Sequence, residues 1–288
     1  MAQASEPRLL ATSDLHVNLS ANRALVDNLR PEHPDDWLLV AGDVSHRAAD
    51  LEATLAMLAA RFAKVVWAPG NHDLWTDPED DLQLRGEARY RHLVEACRRH
   101  GVVTPEDPYP IWDAGDAGLM VVPLLLLYDY SFRPPESSKE EALARAYAAR
   151  VVCADELLLH PDPYASREDW CRVRLETTLA RLAELPPLPT VLLSHYPLRR
   201  EALARLRWPE FTLWCGTTAT EDWHLRFRAH AVVYGHLHIP SSRRQDGVRF
   251  EEVSLGYPRE WRRRSGAGAP TLVRDVLAPP EPAAVAAS

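Results

Sequence analysis

The sequence predicts an α/β fold of the α+β sandwich kind: two mixed β-sheets packed face to face, helices on the outside, and a metal site at the strand C-terminal ends. Three observations carry that expectation. Five short apolar runs each end at residues able to ligate a metal, helical periodicities lie between such runs, and a turn late in the chain reverses a strand.

The runs come in order. Leu9-Leu10-Ala11 precedes Asp14 and His16, Trp37 to Ala41 precedes Asp43, and Val65 to Ala68 precedes Asn71 and His72. Thr190 to Leu193 precedes His195, and Ala231 to Tyr234 precedes His236 and His238. Unbroken apolar runs suit strands buried on both faces, and ligands in such folds sit on the loops that follow them. Between the second and third runs, Leu51, Leu55, Leu58 and Phe62 recur at helical spacing. Residues 86–100 set Tyr90, Leu93, Val94 and Cys97 on one face and stop at Gly101, a helix-ending glycine. Residues 168–184 predict a third helix with Trp170, Val173, Thr177 and Ala180 on one side. Val248 to Ser254 reads as a strand after an Asp246-Gly247 turn, hence as half of an antiparallel pair. Residues 1–264 are expected to form one domain, because a boundary inside them would split the ligand blocks. The Ala-, Pro- and Gly-rich stretch 265–288 is expected to be a flexible tail.

Composition narrows the function classes. With 46% apolar and 26% charged residues the chain is of ordinary globular make-up, and no apolar run reaches the ~18 residues that span a bilayer. The start has no basic segment followed by a long apolar one, so a cytoplasmic protein with no membrane partner is expected. A formal net charge of −8 argues against non-specific nucleic-acid binding. Cys97, Cys153, Cys171 and Cys215 are far apart and form no CxxC pair, which predicts reduced thiols.

Read together, the blocks are Asp-x-His, Gly-Asp, Gly-Asn-His-Asp, a lone His and Gly-His-x-His. A mixture of carboxylate oxygens and imidazole nitrogens suits two divalent ions, Mn or Fe before Zn, better than Ca or Mg. Such a pair neutralises a phosphate and acidifies a water trapped between the ions, so the expected nucleophile is that water and not Ser13 or Ser194.

This order of blocks resembles the calcineurin-like metallophosphoesterase family over roughly residues 8–260. The resemblance implies that Asp14, His16 and His238 hold one metal, Asn71, His195 and His236 the second, and Asp43 both. It also implies that the catalytic residue His72 faces the substrate, to stabilise the transition state or protonate the departing oxygen. Asp73 is read as a carboxylate that orients His72 or a ligand histidine. The segments DDWLLVAGDV, FAKVVWAPGNHDLW, LLLLYDYSF, PEFTLWCGTT, DWHLRF and VYGHLHIP are similar to those of actinobacterial 4′-phosphopantetheinyl hydrolases. That similarity implies a phosphodiesterase that removes 4′-phosphopantetheine from the serine of holo-acyl carrier protein. Tyr128, Tyr130, Trp214 and His224 are then expected to line the channel for the arm, with Asp129 and Trp223 beside them. Arg199 with Arg200, or Arg259 with Arg262–Arg264, would dock the acidic carrier. The competing readings are hydrolysis of nucleotides, cyclic nucleotides or phosphoproteins, and a metal-stabilised scaffold that binds a carrier without cleaving it.

Overall fold

The computed structural model describes residues 6–113, 118–266 and 268–278. The apolar runs become strands of two sheets. In the first, β1 (Leu9–Thr12), β2 (Trp37–Val40) and β3 (Lys64–Trp67) lie parallel and side by side. The second has the order β4-β5-β6-β7-β9-β8, where β4 is Ile111–Trp112, β5 Leu119–Pro123, β6 Thr190–Leu193, β7 Ala229–Tyr234, β8 Ser241–Gln245 and β9 Val248–Glu252. Its centre, β5 to β9, is parallel, and β4 and β8 close the edges antiparallel. The Asp246-Gly247 turn joins β8 to β9 with both residues at positive φ (52° and 79°), the backbone a tight hairpin requires.

Side chains alternate across each strand, so one set of residues faces the other sheet and the next faces helices. Leu9, Ala11, Leu39, Ala41, Val66 and Ala68 of the first sheet meet Trp112, Val121, Val191, Leu193, Ala231 and Val233 of the second. The alternate residues Leu10, Leu38, Val40, Val65 and Trp67 pack in a separate cluster with the helices. Those helices are α1 (Ser20–Val26), α2 (Ala48–Ala59), α3 (Asn71–Leu74), α4 (Gly86–Arg99), α5 (Lys139–Ala148), α6 (Asp155–Leu158), α7 (Arg167–Ala183), α8 (Trp223–Arg226) and α9 (Pro258–Ser265). α2 buries Leu51, Leu55 and Leu58, and α4 buries Tyr90, Leu93, Val94 and Cys97 before Gly101 turns left-handed at φ 72°.

Two expectations are corrected. In α7 the buried residues are Trp170, Cys171, Arg174, Thr178 and Leu182, whereas Thr177 and Ala180 are exposed. The face was misread because its centre is an arginine: Arg174 Nη2 donates to Glu106 Oε1 at 2.6 Å, a pairing that permits a charge inside. The expected tail also starts too early. Residues Arg274–Asp275 form β10, antiparallel on the free edge of β1, with Val276 N donating to Leu9 O at 2.8 Å and the Val276 side chain fully buried. A two-residue edge strand needs backbone groups and one apolar anchor, and composition carries no sign of it. Residues 279–288 lie outside the described residues.

Candidate metal centre

The backbone is bent most where the ligand-type residues stand. Asp14, His16, Asp43, His236 and His238 all have positive φ, between 42° and 70°. Each such non-glycine residue costs on the order of 1–3 kcal/mol. The bends turn the chain sharply beyond β1, β2 and β7, and the loops interlock: Asp14 N donates to Gly42 O and His16 N to Asp43 O, both at 3.0 Å. Close approach explains two glycines. A Cβ on Gly42 would lie 2.4 Å from Gly70 N, and one on Gly235 2.0 Å from Ser13 Oγ.

Asp14 Oδ1 faces His238 Nε2 at 3.0 Å, and His16 Nε2 lies 3.4 Å from the same nitrogen. On the other side, His195 Nε2 stands 2.9 Å from Asn71 Oδ1 and 3.2 Å from His236 Nδ1. Asp43 Oδ2 sits between the groups, 3.4 Å from His195 Nε2, 3.8 Å from His72 Nε2 and 4.0 Å from His16 Nε2. All of these except His72 and His238 are almost wholly buried.

The outer partners fix which atoms point inward. His195 Nδ1 donates to Ala41 O at 2.8 Å, which leaves Nε2 a bare lone pair. Asn71 Nδ2 donates to Asp155 Oδ1 at 2.8 Å, which turns the amide oxygen toward that lone pair. His238 Nδ1 donates to Glu260 Oε2 at 2.7 Å, and Ser254 Oγ donates to Asp14 Oδ2 at 2.7 Å. His195 Nε2 and Asn71 Oδ1 thus confront each other as two acceptors at 2.9 Å, an arrangement that is repulsive without a cation between them.

Electrostatics agree. Burial, then neighbouring imidazoles, push His72 and His236 well below the usual histidine range and His16 to about 3, so these rings are uncharged and free to ligate. Burial pushes Asp43 well above the ordinary carboxylate range, and the charges of Asp14 and Asp73 add to it. His238 runs the other way: against its burial, Asp14 and Glu260 hold it up to about 10, so positive charge belongs beside Asp14 Oδ1. The donor set therefore fits divalent cations. Among the described residues, three groups bring their ligand atoms within 4.8 Å of one another: Asp14, His16 and His238; Asp14, Asp43 and His195; and His16, Asp43 and His72.

Comparison with known proteins places this geometry. The family model described as calcineurin-like phosphoesterase matches residues 7–240. The chain belongs to the calcineurin-like phosphoesterase family. It is 51% identical over 279 residues to the [acyl-carrier-protein] phosphodiesterase PptH of Mycobacterium tuberculosis, covering 96% of this chain and 85% of that protein. The crystal structure of phosphopantetheinyl hydrolase PptH from Mycobacterium tuberculosis superposes with a TM-score of 0.93 at 50% identity, over 98% of this chain and 100% of that one. The chain is thus a hydrolase of phosphoesters, as its family is.

In this phosphoesterase two recesses open beside the centre. The larger, about 930 Å3, has Asp43, Asn71, His72, His236 and His238 among its lining. The smaller, about 510 Å3, is lined by His16, Leu19, His46, His72, Trp75 and Tyr257 among others. His72 and Trp75 border both, with ring centroids 3.6 Å apart.

Several sequence expectations are corrected. Tyr128, Tyr130, Trp214 and His224 are at most 1% exposed, and none lines either recess. They are support instead: Tyr130 and Trp214 donate to Glu156, and His224 lies against Asp246. Trp223 is likewise core, and Asp129 accepts from Thr217. Asp73 touches no histidine side chain. Its carboxylate collects the N–H groups of Asp43, Val44, Ser45 and Gly70 and the indole of Trp67, so it shapes the loop that carries Asp43. Arg199 is paired with Glu201 and Asp246, Arg200 donates to Ser131 O, and Arg264 is tied to the carbonyls of His238 and Leu255. The Ser13 and Ser194 hydroxyls donate to carbonyls. Asp155, Glu260 and Ser254 were given no role from the sequence, since their partners are distant in the chain, and Trp75 was quoted only within a segment and given none.

Proposed function

We propose that this chain is a binuclear metal-dependent phosphodiesterase that removes 4′-phosphopantetheine from the serine of holo-acyl carrier protein. The observation that carries the substrate is the likeness, over 96% of the chain, to a protein named as an acyl-carrier-protein phosphodiesterase. Asp14, His16 and His238 would hold one cation, Asn71, His195 and His236 the other, and Asp43 would serve both. The mixed imidazole and carboxylate set favours Mn or Fe, with Zn as the competing ion. The chemistry such a pair supplies when bound is neutralisation of the phosphate and a water acidified toward neutral pH.

The chain's own residues do the rest. Asp155 and Glu260 set the facing atoms of Asn71 and His238, so that little reorganisation is needed when a phosphate arrives. His72 faces both recesses, packed against Trp75, and can present a ring N–H to the departing serine oxygen. An alkoxide is a strong base and draws that proton as the P–O bond breaks. Asp73 acts at one remove, as a positioning residue for Asp43.

Mass spectrometry of holo-carrier incubated with the Mn-loaded enzyme should show loss of the phosphopantetheine arm and appearance of apo-carrier. An intact holo-carrier, in a preparation that still cleaves bis(p-nitrophenyl) phosphate, would exclude this substrate and leave nucleotide or phosphoprotein hydrolysis. The role of His72 is separable by leaving group. His72→Ala should lower kcat by about 10²–10⁴ on the serine ester and far less on the nitrophenyl diester, whose leaving group needs no proton.

A further inference from the structure

The larger recess opens through a rim whose charge is opposite to that of the chain, formally −8. Arg205 and Arg207 line it from the segment that follows His195, and Arg259 and Arg263 line it from α9. All four are exposed. Among the described residues, Arg205, Arg207 and Arg263 enter no salt bridge, and Arg259 comes no nearer than 4.0 Å to Glu260, a carboxylate already engaged by His238. Arg89, Arg167 and Arg174, by contrast, are each held by a carboxylate, that of Asp80, Glu156 and Glu106 in turn. The carboxylates of the recess, Asp43 and Glu260, both belong to the centre. Trp208 stands at the same mouth, 53% exposed, with the Arg207 guanidinium 5.2 Å from its ring centroid, and Val152, 68% exposed, lines the same recess. Exposed tryptophan beside uncompensated arginine is the composition of a protein-binding hot spot and not of an idle surface.

We infer that Arg205, Arg207, Trp208, Arg259 and Arg263 dock the acidic face of the protein that bears the scissile diester. This rests on the reading above that the substrate is protein-borne. The rim would steer that protein toward a chain whose overall charge repels it, and Trp208 would bury apolar surface once it arrives. The arginines lie outside the cation-binding set, so their contribution falls on encounter and KM and not on bond cleavage.

The test uses the full metal-loaded enzyme and two substrates, holo-carrier and bis(p-nitrophenyl) phosphate. Arg205→Glu with Arg207→Glu should raise KM for holo-carrier so that its loss in kcat/KM exceeds the loss on the small diester by at least about tenfold, and it should flatten the salt dependence. Trp208→Ala should shift the same ratio without changing the salt slope. Arg244→Glu, a charge reversal on β8 away from the recess, should leave the ratio at the wild-type value. Wild-type turnover of holo-carrier should itself fall more steeply with added salt than turnover of the small diester, a measurement that needs no variant. Equal losses on both substrates, equal salt slopes, or competition by a single-stranded oligonucleotide as strong as by apo-carrier would overturn the inference. Absence of any arm release by the wild type would instead sink the substrate reading.

Discussion

Asp155 holds two parts of the centre with one oxygen. Its Oδ1 accepts from Asn71 Nδ2 at 2.8 Å and from Trp75 Nε1 at 2.6 Å, and Trp75 in turn packs against His72. One carboxylate therefore orients both a proposed metal ligand and the ring proposed to protonate the leaving group. Asp155→Ala would free the Asn71 amide to flip and would leave two buried donors unsatisfied. Metal affinity should fall about 10–100-fold, and stability by about 1–3 kcal/mol for each donor. Metal content against free Mn, read by elemental analysis, checks this independently of activity; affinity within twofold of wild type would refute it. At this scale the residues of the proposed ligand set, which the fold brings together, were legible because Asp-x-His, Gly-Asn-His-Asp and Gly-His-x-His are local patterns. Asp155 was not, because it lies 84 residues from Asn71 and only the folded chain brings them together. Aromatic residues misled in the opposite direction: Tyr130 and Trp214 are polar at one end, yet that end serves to anchor the core to Glu156 and not to line a channel.

Among elements, the parallel strands β1, β2, β3, β6 and β7 were legible because burial on both faces demands apolar runs, and α2 and α4 because apolar residues recur at helical spacing on their inner faces, with Thr54 and Arg89 as buried exceptions; β5, though parallel too, was not read. Two edge strands were not: β8, with the sequence SSRRQ, and β10 each face a single neighbour and carry no apolar run. α7 falls between, since charge pairing replaces greasy packing at Arg174. There Glu106 joins two helices, accepting from Tyr90 of α4 at 2.8 Å and from Arg174 of α7 at 2.6 Å. Burial pushes the Glu106 carboxyl up, but Arg174 and Tyr90 outweigh it and hold it below the usual 4.5. A carboxyl whose folded value is depressed stabilises the fold above its unfolded pKa and loses that contribution as pH falls through the folded one. Glu106→Gln should therefore cost about 1–3 kcal/mol at neutral pH, and the gap from wild type should narrow as pH drops below 4.5. Urea unfolding across that range reads both; a gap that stays constant with pH would show that the charge is not what matters.

Across the whole molecule, the proposed ligands come from both layers of the sandwich. Asp14, His16, Asp43 and Asn71 follow strands of the first sheet, while His195, His236 and His238 follow strands of the second. The layers are also joined by the apolar interface, by the bridge between Ser13 and Ser254, with Leu255 N donating to Ser13 O at 2.9 Å, and by the Arg274–Glu251 ion pair at 3.2 Å. Cations held by both sheets would act as a rivet across that interface, offsetting the bent backbone and the opposed lone pairs concentrated at this one place. Binding to the folded state alone adds about 2.7 kcal/mol per site at a hundredfold excess over Kd. Removing the ions with a chelator should then lower Tm by roughly 5–15 °C, and Mn or Fe should restore it. Scanning calorimetry on samples of known metal content decides the matter. A Tm unchanged within about 1 °C after verified metal loss would mean that the sandwich carries its own strain, and that the ions serve catalysis without bracing the fold.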